Sequence, residues 1–228
     1  MFRSHENQLE QYLLPTKLIN TQHPDIQRKV MELTRDCETV VARARNIFYF
    51  IRDDIRYEFR GKFKAEQYLA SYILQDGKGF CTQKAILFCA LARCAGIPAG
   101  LYFFDIIDHT LPEQMVRLMK TRTLFHHGIV MLCLNGEWHK YDATLHSQLV
   151  ERNQLIPVEF SPHRDCLMSQ TTRHGTRHID YIRDYGIHAD VSFEQITGWF
   201  REGYPHIAER YATKADTPDS STHSPRNP

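Results

Sequence analysis

Surplus charge is nearly absent from this 228-residue sequence: 28 Lys and Arg side chains face 27 Asp and Glu, leaving a net charge of +1. Such a balance does not steer a protein toward nucleic acid or an anionic membrane, so neither is expected as a partner. No apolar run approaches the roughly 20 residues that cross a bilayer. The opening stretch Met1-Phe2-Arg3-Ser4-His5-Glu6-Asn7-Gln8-Leu9-Glu10 has neither the apolar core nor the small-residue cleavage site of a secretion signal, so a cytoplasmic location is expected. The cysteines, at positions 37, 81, 89, 94, 133 and 166, include no C-x-x-C pair. That spacing indicates neither a disulfide framework nor a zinc ribbon, and the thiols are expected to be reduced. There is also no internal repeat and no acidic loop of the EF-hand kind. No cofactor and no metal are expected.

The length suits one domain with a sizeable core, assigned to residues 1–212. From Thr213 to Pro228, Ser, Thr, Pro and Asp displace apolar residues, and this tail is expected to be disordered. Pro24 and Asp25 open a helical pattern that runs to about Arg35, and a second helix is expected from Thr39 to Asp53 with a wide apolar stripe. Residues 55–59 alternate like a short strand, and 65–74 read as a weaker helix or loop. The aromatic and β-branched run Leu101 to Ile107 reads as a buried strand, followed by a helical insertion around 112–120. Residues 150–206 read as irregular, with Pro157 to Phe160 extended. Ser192 and Gln195 form a capping box that opens a last helix through Phe200.

One stretch organises the rest. In Gly77-Lys78-Gly79-Phe80-Cys81 a glycine-bearing turn hands over to an apolar helical run that ends at Ala95-Gly96-Ile97-Pro98, with Gly and then Pro just past the last turn. Cys81 therefore lies in the first helical turn, where free N–H groups and the helix dipole favour a thiolate. Most cysteines are simply small buried apolar side chains, and Cys89 and Cys94, set among Leu, Phe and Ala on the same helix, read as core. Cys81 stands apart because of its position and because of a partner stretch downstream.

That partner is the segment from His126 to Asp142, in which Asn135-Gly136 separates two strand-like runs and marks a two-residue hairpin turn. The turn sets the register: Leu134 opposes Glu137, Met131 opposes Lys140 and Ile129 opposes Asp142. His127, Ile129 and Asp142 then share one face, with His127 and Asp142 as diagonal neighbours, while His126 points to the other face. A one-residue bulge within the hairpin would exchange the faces. Cys81, His127 and Asp142 together suit acyl transfer through a thioester: a thiolate attacks a carbonyl, the imidazole moves the proton, and the carboxylate fixes the imidazole. The N–H of Cys81 and a side chain from the preceding turn, Gln75 being one candidate, would hold the oxyanion.

The pattern Gly79-Phe80-Cys81, Gly96-Ile97-Pro98-Ala99, His127, Gly136-x-Trp138 and Asp142-Ala143-Thr144 resembles that of the transglutaminase-like superfamily, over roughly residues 77–144. The resemblance implies an α+β, papain-like fold, with N-terminal helices and a cysteine helix packed on an antiparallel sheet that carries His and Asp. It also implies a thiol enzyme acting on peptides or small amides. Gly100 stands where the family commonly has Arg, and Ala143 where it has Pro. With no extra β-domains and no calcium loop, hydrolysis or small-scale acyl transfer is expected over protein cross-linking. The competing reading is a binding module that keeps the fold without the chemistry. A zinc site among His126, His127, His139 and His146 is disfavoured by the same face assignment. Trp138 is read as a wall aromatic, and Arg173, His174, Arg177 and His178 as a solvated basic surface.

Overall fold

The computed structural model describes residues 9–59 and 64–207. The boundary at 212 and the tail beyond it lie outside that span. Pro24–Thr34 form α1, with the His23 side chain capping its start by accepting the Asp25 N–H. Thr39 caps α2 (Val40–Tyr49) by accepting the Ala42 N–H at 3.1 Å. The helix expected to continue to Asp53 instead widens into a π-helical turn over Phe50–Asp54. Apolar periodicity cannot reveal such a change, because it depends on what takes up the freed carbonyls. The short strand β1 (Arg56–Tyr57) then pairs in parallel with β2 (Lys78–Gly79), and between them lie a 3₁₀ turn at Ala65–Tyr68 and α3 (Ala70–Asp76).

The central helix α4 (Cys81–Cys94) is buried at every residue from Cys81 to Arg93. A helix buried on all sides needs cover on all sides, and α1, α2, α3 and the main sheet supply it. Its end follows the expected stop: Gly96 takes φ +76°, and the N–H groups of Gly96 and Ile97 return to the carbonyls of Arg93 and Ala92.

The main sheet is antiparallel, with strand order β5-β4-β3-β6, comprising β3 (Ala99–Asp108), β4 (Thr123–Leu134), β5 (Glu137–Tyr141) and β6 (Ile179–His188). Helix α5 (Glu113–Met119) occupies the β3–β4 connection, α6 (Ser147–Arg152) follows β5, and α7 (Phe193–Gly203) follows β6. The Ser192–Gln195 capping box forms at the start of α7. One face of the sheet, with Leu101, Phe103, Val130, Leu132 and Leu134, packs on α4 in the main core. The other face buries Tyr102, Phe104, Ile106 and Ile129 against Met168 and Ile179. This is the α+β fold expected, with helices first and the sheet carrying the downstream residues.

The reading of 150–206 as irregular fails at α6 and β6. Strand β6 is interrupted twice, with register shifts opposite Phe103/Phe104 and Asp105/Ile106 and Gly186 at φ +77°, so the two-residue alternation by which a strand shows itself in sequence is broken. The expected hairpin forms: Asn135 and Gly136 both take positive φ, and the pairs run from Leu134–Glu137 to Val130–Tyr141. Gly100, where the superfamily commonly has Arg, is filled from outside, since a Cβ there would sit 2.6 Å from the Ile187 side chain. Gly128 matters more, because a Cβ there would meet the Thr82 Cα of α4 at 2.9 Å, so its absence lets β4 press against the start of the cysteine helix. Gly128→Ala must push strand and helix apart. Its urea midpoint should fall by the equivalent of about 1–3 kcal/mol; an unchanged midpoint would contradict this packing.

Candidate active site

Local geometry sets Cys81 at the mouth of α4. Gly77, at φ +65°, ends α3 in the left-handed region, Lys78–Gly79 extend, and Phe80 at ψ 178° turns the chain into the helix. The buried Gln83 stitches this turn, its Oε1 accepting the Phe80 N–H at 3.3 Å and its Nε2 donating to the Gln67 carbonyl at 2.8 Å. The first helical bond runs from the Lys84 N–H to the Phe80 carbonyl, so the N–H groups of Cys81 and Thr82 belong to the unsatisfied helix start. Burial disfavours the Cys81 thiolate. The charge and hydrogen bonding of His127, the Gly128 N–H and Thr82 outweigh that cost, and the thiol lies below its ordinary range. Cys89, on the same helix but amid apolar side chains, is pushed up to about 12 by burial, as a core cysteine should be.

His127 and Asp142 meet as the hairpin register requires. Nε2 and Oδ2 are 2.8 Å apart, and each residue is only 1 % exposed. Asp142 Oδ1 accepts the Thr144 N–H at 3.0 Å, and the Asp142 N–H donates to the Cys166 carbonyl at 2.8 Å. Nδ1 of His127 is buried and has no hydrogen-bond partner among the described residues, so it is the ring nitrogen left for the nearby Cys81 sulfur, whose charge acts on the imidazole. Burial would lower the imidazole pKa, but the Asp142 carboxylate and the Cys81 sulfur reverse it and raise it to about 10. The carboxyl of Asp142 is held low against burial, by His127 first and then Thr144. A thiolate beside an imidazolium is thus the favoured resting pair.

A residue with no warning in the sequence underpins this arrangement. Lys84, one turn along α4 from Cys81, is 1 % exposed, and its Nζ donates to the carbonyls of Ile55 (2.7 Å), Thr144 (2.8 Å) and Arg52 (3.2 Å). Two of those carbonyls belong to the π-helical exit, and the third lies in the turn that holds the Asp142 carboxylate. Burial pushes the ammonium down to about 7, against the pull of the Asp142 and Asp53 charges. The geometry favours the ammonium, because three carbonyl acceptors need three N–H donors and a neutral amine has two.

Two cavities meet at this point. Cys81 borders a narrow one of about 40 Å³, walled by Tyr68, Phe80, Trp199, Phe200 and Tyr204. His127 borders a larger one of about 380 Å³, and Tyr57, Phe59 and Leu124 border both.

The transglutaminase-like superfamily model matches residues 27–143 of the sequence, which reach from α1 to just past Asp142. The chain belongs to the transglutaminase-like superfamily. Similar solved structures include a candidate cysteine protease from Cytophaga hutchinsonii, at 18% identity and TM-score 0.45, with 78% of this chain and 53% of that one covered. Another is a candidate protease from Parabacteroides distasonis, at 13% identity and TM-score 0.39, with 60% and 26% covered. The chain therefore spans about half of the first structure's length and about a quarter of the second's. The search of curated proteins gave no match.

Other residues singled out in this transglutaminase-like sequence fall as follows. Gln75 does not reach the cavities: it is exposed, and its amide donates to Asp25 at 2.7 Å. His126 lies away from Asp142, as expected, but its ring forms a wall of the Cys81 cavity, stacked on Tyr185 at 4.1 Å and Trp199 at 4.5 Å. A bulge puts it there. His126 has φ +51°, and its N–H is taken by the buried Asp105 at 2.9 Å. Because the bulge precedes His127, the pairing between His127 and Asp142 is untouched. Arg173, His174 and Arg177 are exposed, as the solvated-surface reading has it, with Arg173 paired to Glu151 and Arg177 to Asp180, whereas His178 is buried. Trp138 packs edge-on against Tyr12. Among the described residues no group of three or more His, Cys, Asp or Glu is arranged to hold a metal ion, and no helix is long and apolar enough to cross a membrane.

The electrostatics predict the pH dependence of iodoacetamide alkylation. Cys81 should alkylate with a midpoint below the roughly 8.5 of a free thiol, while Cys89 stays slow. In Asp142→Asn the imidazolium loses its counter-charge, His127 titrates lower, and the alkylation midpoint of Cys81 must move up. Lys84→Met should shift that midpoint in the same direction and cost about 2–4 kcal/mol in urea unfolding, since it orphans buried carbonyls. Profiles that coincide with wild type would contradict the ion pair.

Proposed function

We propose that the protein is a cysteine-dependent enzyme that hydrolyses or transfers the acyl group of a peptide or small amide through a thioester on Cys81. The observation that carries this reading is that Cys81 and His127, both buried, border two cavities that share Tyr57, Phe59 and Leu124, with His127 bonded from behind to the buried Asp142 carboxylate. The Cys81 thiolate attacks the substrate carbonyl. His127 gives its Nδ1 proton to the departing nitrogen as the C–N bond breaks, and the acyl group remains on sulfur. Water or a second amine, losing its proton to His127, then attacks the thioester and releases the thiolate. Asp142 keeps the imidazole oriented and offsets its positive charge.

Negative charge on the carbonyl oxygen falls toward the N–H groups at the start of α4. Tyr57 replaces Gln75 as the side chain suited to assist. It lines both cavities, and burial together with the nearby Cys81 charge drives its pKa well above the ordinary value, so it remains a hydroxyl donor. A binding module without chemistry would gain nothing from ionisable groups held this deep, because each costs several kcal/mol of desolvation unless paired.

Assayed on p-nitrophenyl acetate and a peptide amide panel, Cys81→Ala should abolish turnover. Tyr57→Phe should lower kcat by about 10²-fold with a smaller effect on KM, the usual loss for one oxyanion donor. Turnover that survives Cys81→Ala would end the thioester reading.

A further inference from the structure

We propose that the larger cavity is the subsite for the amine half of the substrate, and that it selects amines with an apolar side chain and refuses those with a carboxylate. This rests on the thioester reading and adds which half of the substrate lies where. In that chemistry the reacting nitrogen exchanges its proton with His127 Nδ1, so it must lie on the imidazole's side of the sulfur. His127 borders the cavity of about 380 Å³ and not the one of about 40 Å³, whereas Cys81 borders the small cavity and not the large one. A carbonyl carbon bonded to Sγ therefore sits at the Tyr57–Leu124 partition, its acyl substituent in the narrow cavity and its nitrogen substituent in the wide one. For acyl transfer the bonds balance without any other reactant. The amine nitrogen attacks the thioester carbon, the C–S pair returns to sulfur, and the ammonium proton moves to His127, which regenerates the thiolate and imidazolium.

The lining supplies the selectivity. Met115, Met119, Met168, Leu149 and Leu155 border the cavity, and thioethers adapt to varied apolar shapes. The charged side chains on its border are both carboxylates, Asp108 and Glu58, and among the described residues no Lys or Arg lines it. Glu58 is paired with Lys78 at 3.4 Å, while Asp108 Oδ1 accepts the N–H and hydroxyl of Thr110. His146, also on the border, is held toward its neutral form by burial and by Lys84. An anionic amine would meet the carboxylate of Asp108, with no Lys or Arg among the described lining residues to receive it. An apolar amine gains burial.

The test uses the whole chain and p-nitrophenyl acetate, whose acetyl group is small enough for the narrow cavity. A stopped-flow burst of nitrophenolate that disappears in Cys81→Ala reports the acetyl-enzyme, and amines are then added to compete with water. Leucinamide should accelerate turnover saturably, with a half-saturating concentration at least about tenfold below that of glycinamide, and glutamic acid α-amide should not. Met115→Lys, at a half-exposed position on α5 where a lysine is accommodated, should reverse the order and favour the glutamic acid amide. Thermal unfolding checks that this variant is folded, and Asp108→Asn, which should relieve the rejection several-fold, is the second variant. A Cys81-dependent burst with all three amines acting alike, or with no amine acting, would overturn the subsite alone. A burst that persists in Cys81→Ala would remove the thioester reading beneath it.

Discussion

A single buried contact, 2.8 Å from His127 Nε2 to Asp142 Oδ2, constrains everything around it. Neither group could stand alone at this depth, since an unpaired buried charge costs several kcal/mol. Together they form a pair that also lowers the thiol of Cys81, so three unfavourable burials become one mutually supported unit. The unit requires two strands to keep strict register from the Asn135–Gly136 turn to His127, a span of eight residues back along β4 from the turn. It also requires the next irregularity, the His126 bulge, to fall just outside that span. The bulge is used as well, turning the His126 ring into a wall between Tyr185 and Trp199.

Helix α4 delivers the third member and braces the other two. It presents Cys81 at its start, meets β4 closely because Gly128 has no side chain, and one turn later extends Lys84 beneath the site. Through Thr144, whose carbonyl takes Lys84 and whose N–H holds Asp142, the same helix fixes both the sulfur and the carboxylate. The carbonyls of Arg52 and Ile55 that Lys84 also collects explain how the π-helical exit of α2 can be buried. The helix acts as a brace linking the hairpin of His127 and Asp142 to the N-terminal helices.

Much of this was legible because it depends on short-range rules. A Gly-bearing turn before Cys81, the Gly96-Ile97-Pro98 stop, and an Asn-Gly turn that decides which of two adjacent histidines faces Asp142 are local features of the sequence. What escaped depends on partners distant along the chain. Lys84 reads as an ordinary helical lysine until residues 29 and 60 positions away offer their carbonyls. Gly128 reads as one glycine in a strand until α4 is laid against it. Strand β6 hides behind its own bulges, and Gln75, plausible by proximity to Cys81 in sequence, sits on the outer end of α3 with Asp25. Tyr57 reaches the site through a two-residue strand too short to carry a pattern.

Family membership rests on the superfamily match, and the chemistry proposed for this member rests on the charge state of its buried trio. That state can be read without a substrate. In a protein with ¹⁵N-labelled histidine at pH 8, long-range ¹H–¹⁵N spectra should show both ring nitrogens of His127 protonated, with the Nε2 proton displaced downfield by Asp142. Replacing Cys81 by Ala should return the ring to its neutral form at a lower pH than in wild type. A His127 already neutral at pH 8 in the wild-type protein, or one whose titration ignores the loss of the sulfur, would contradict the account.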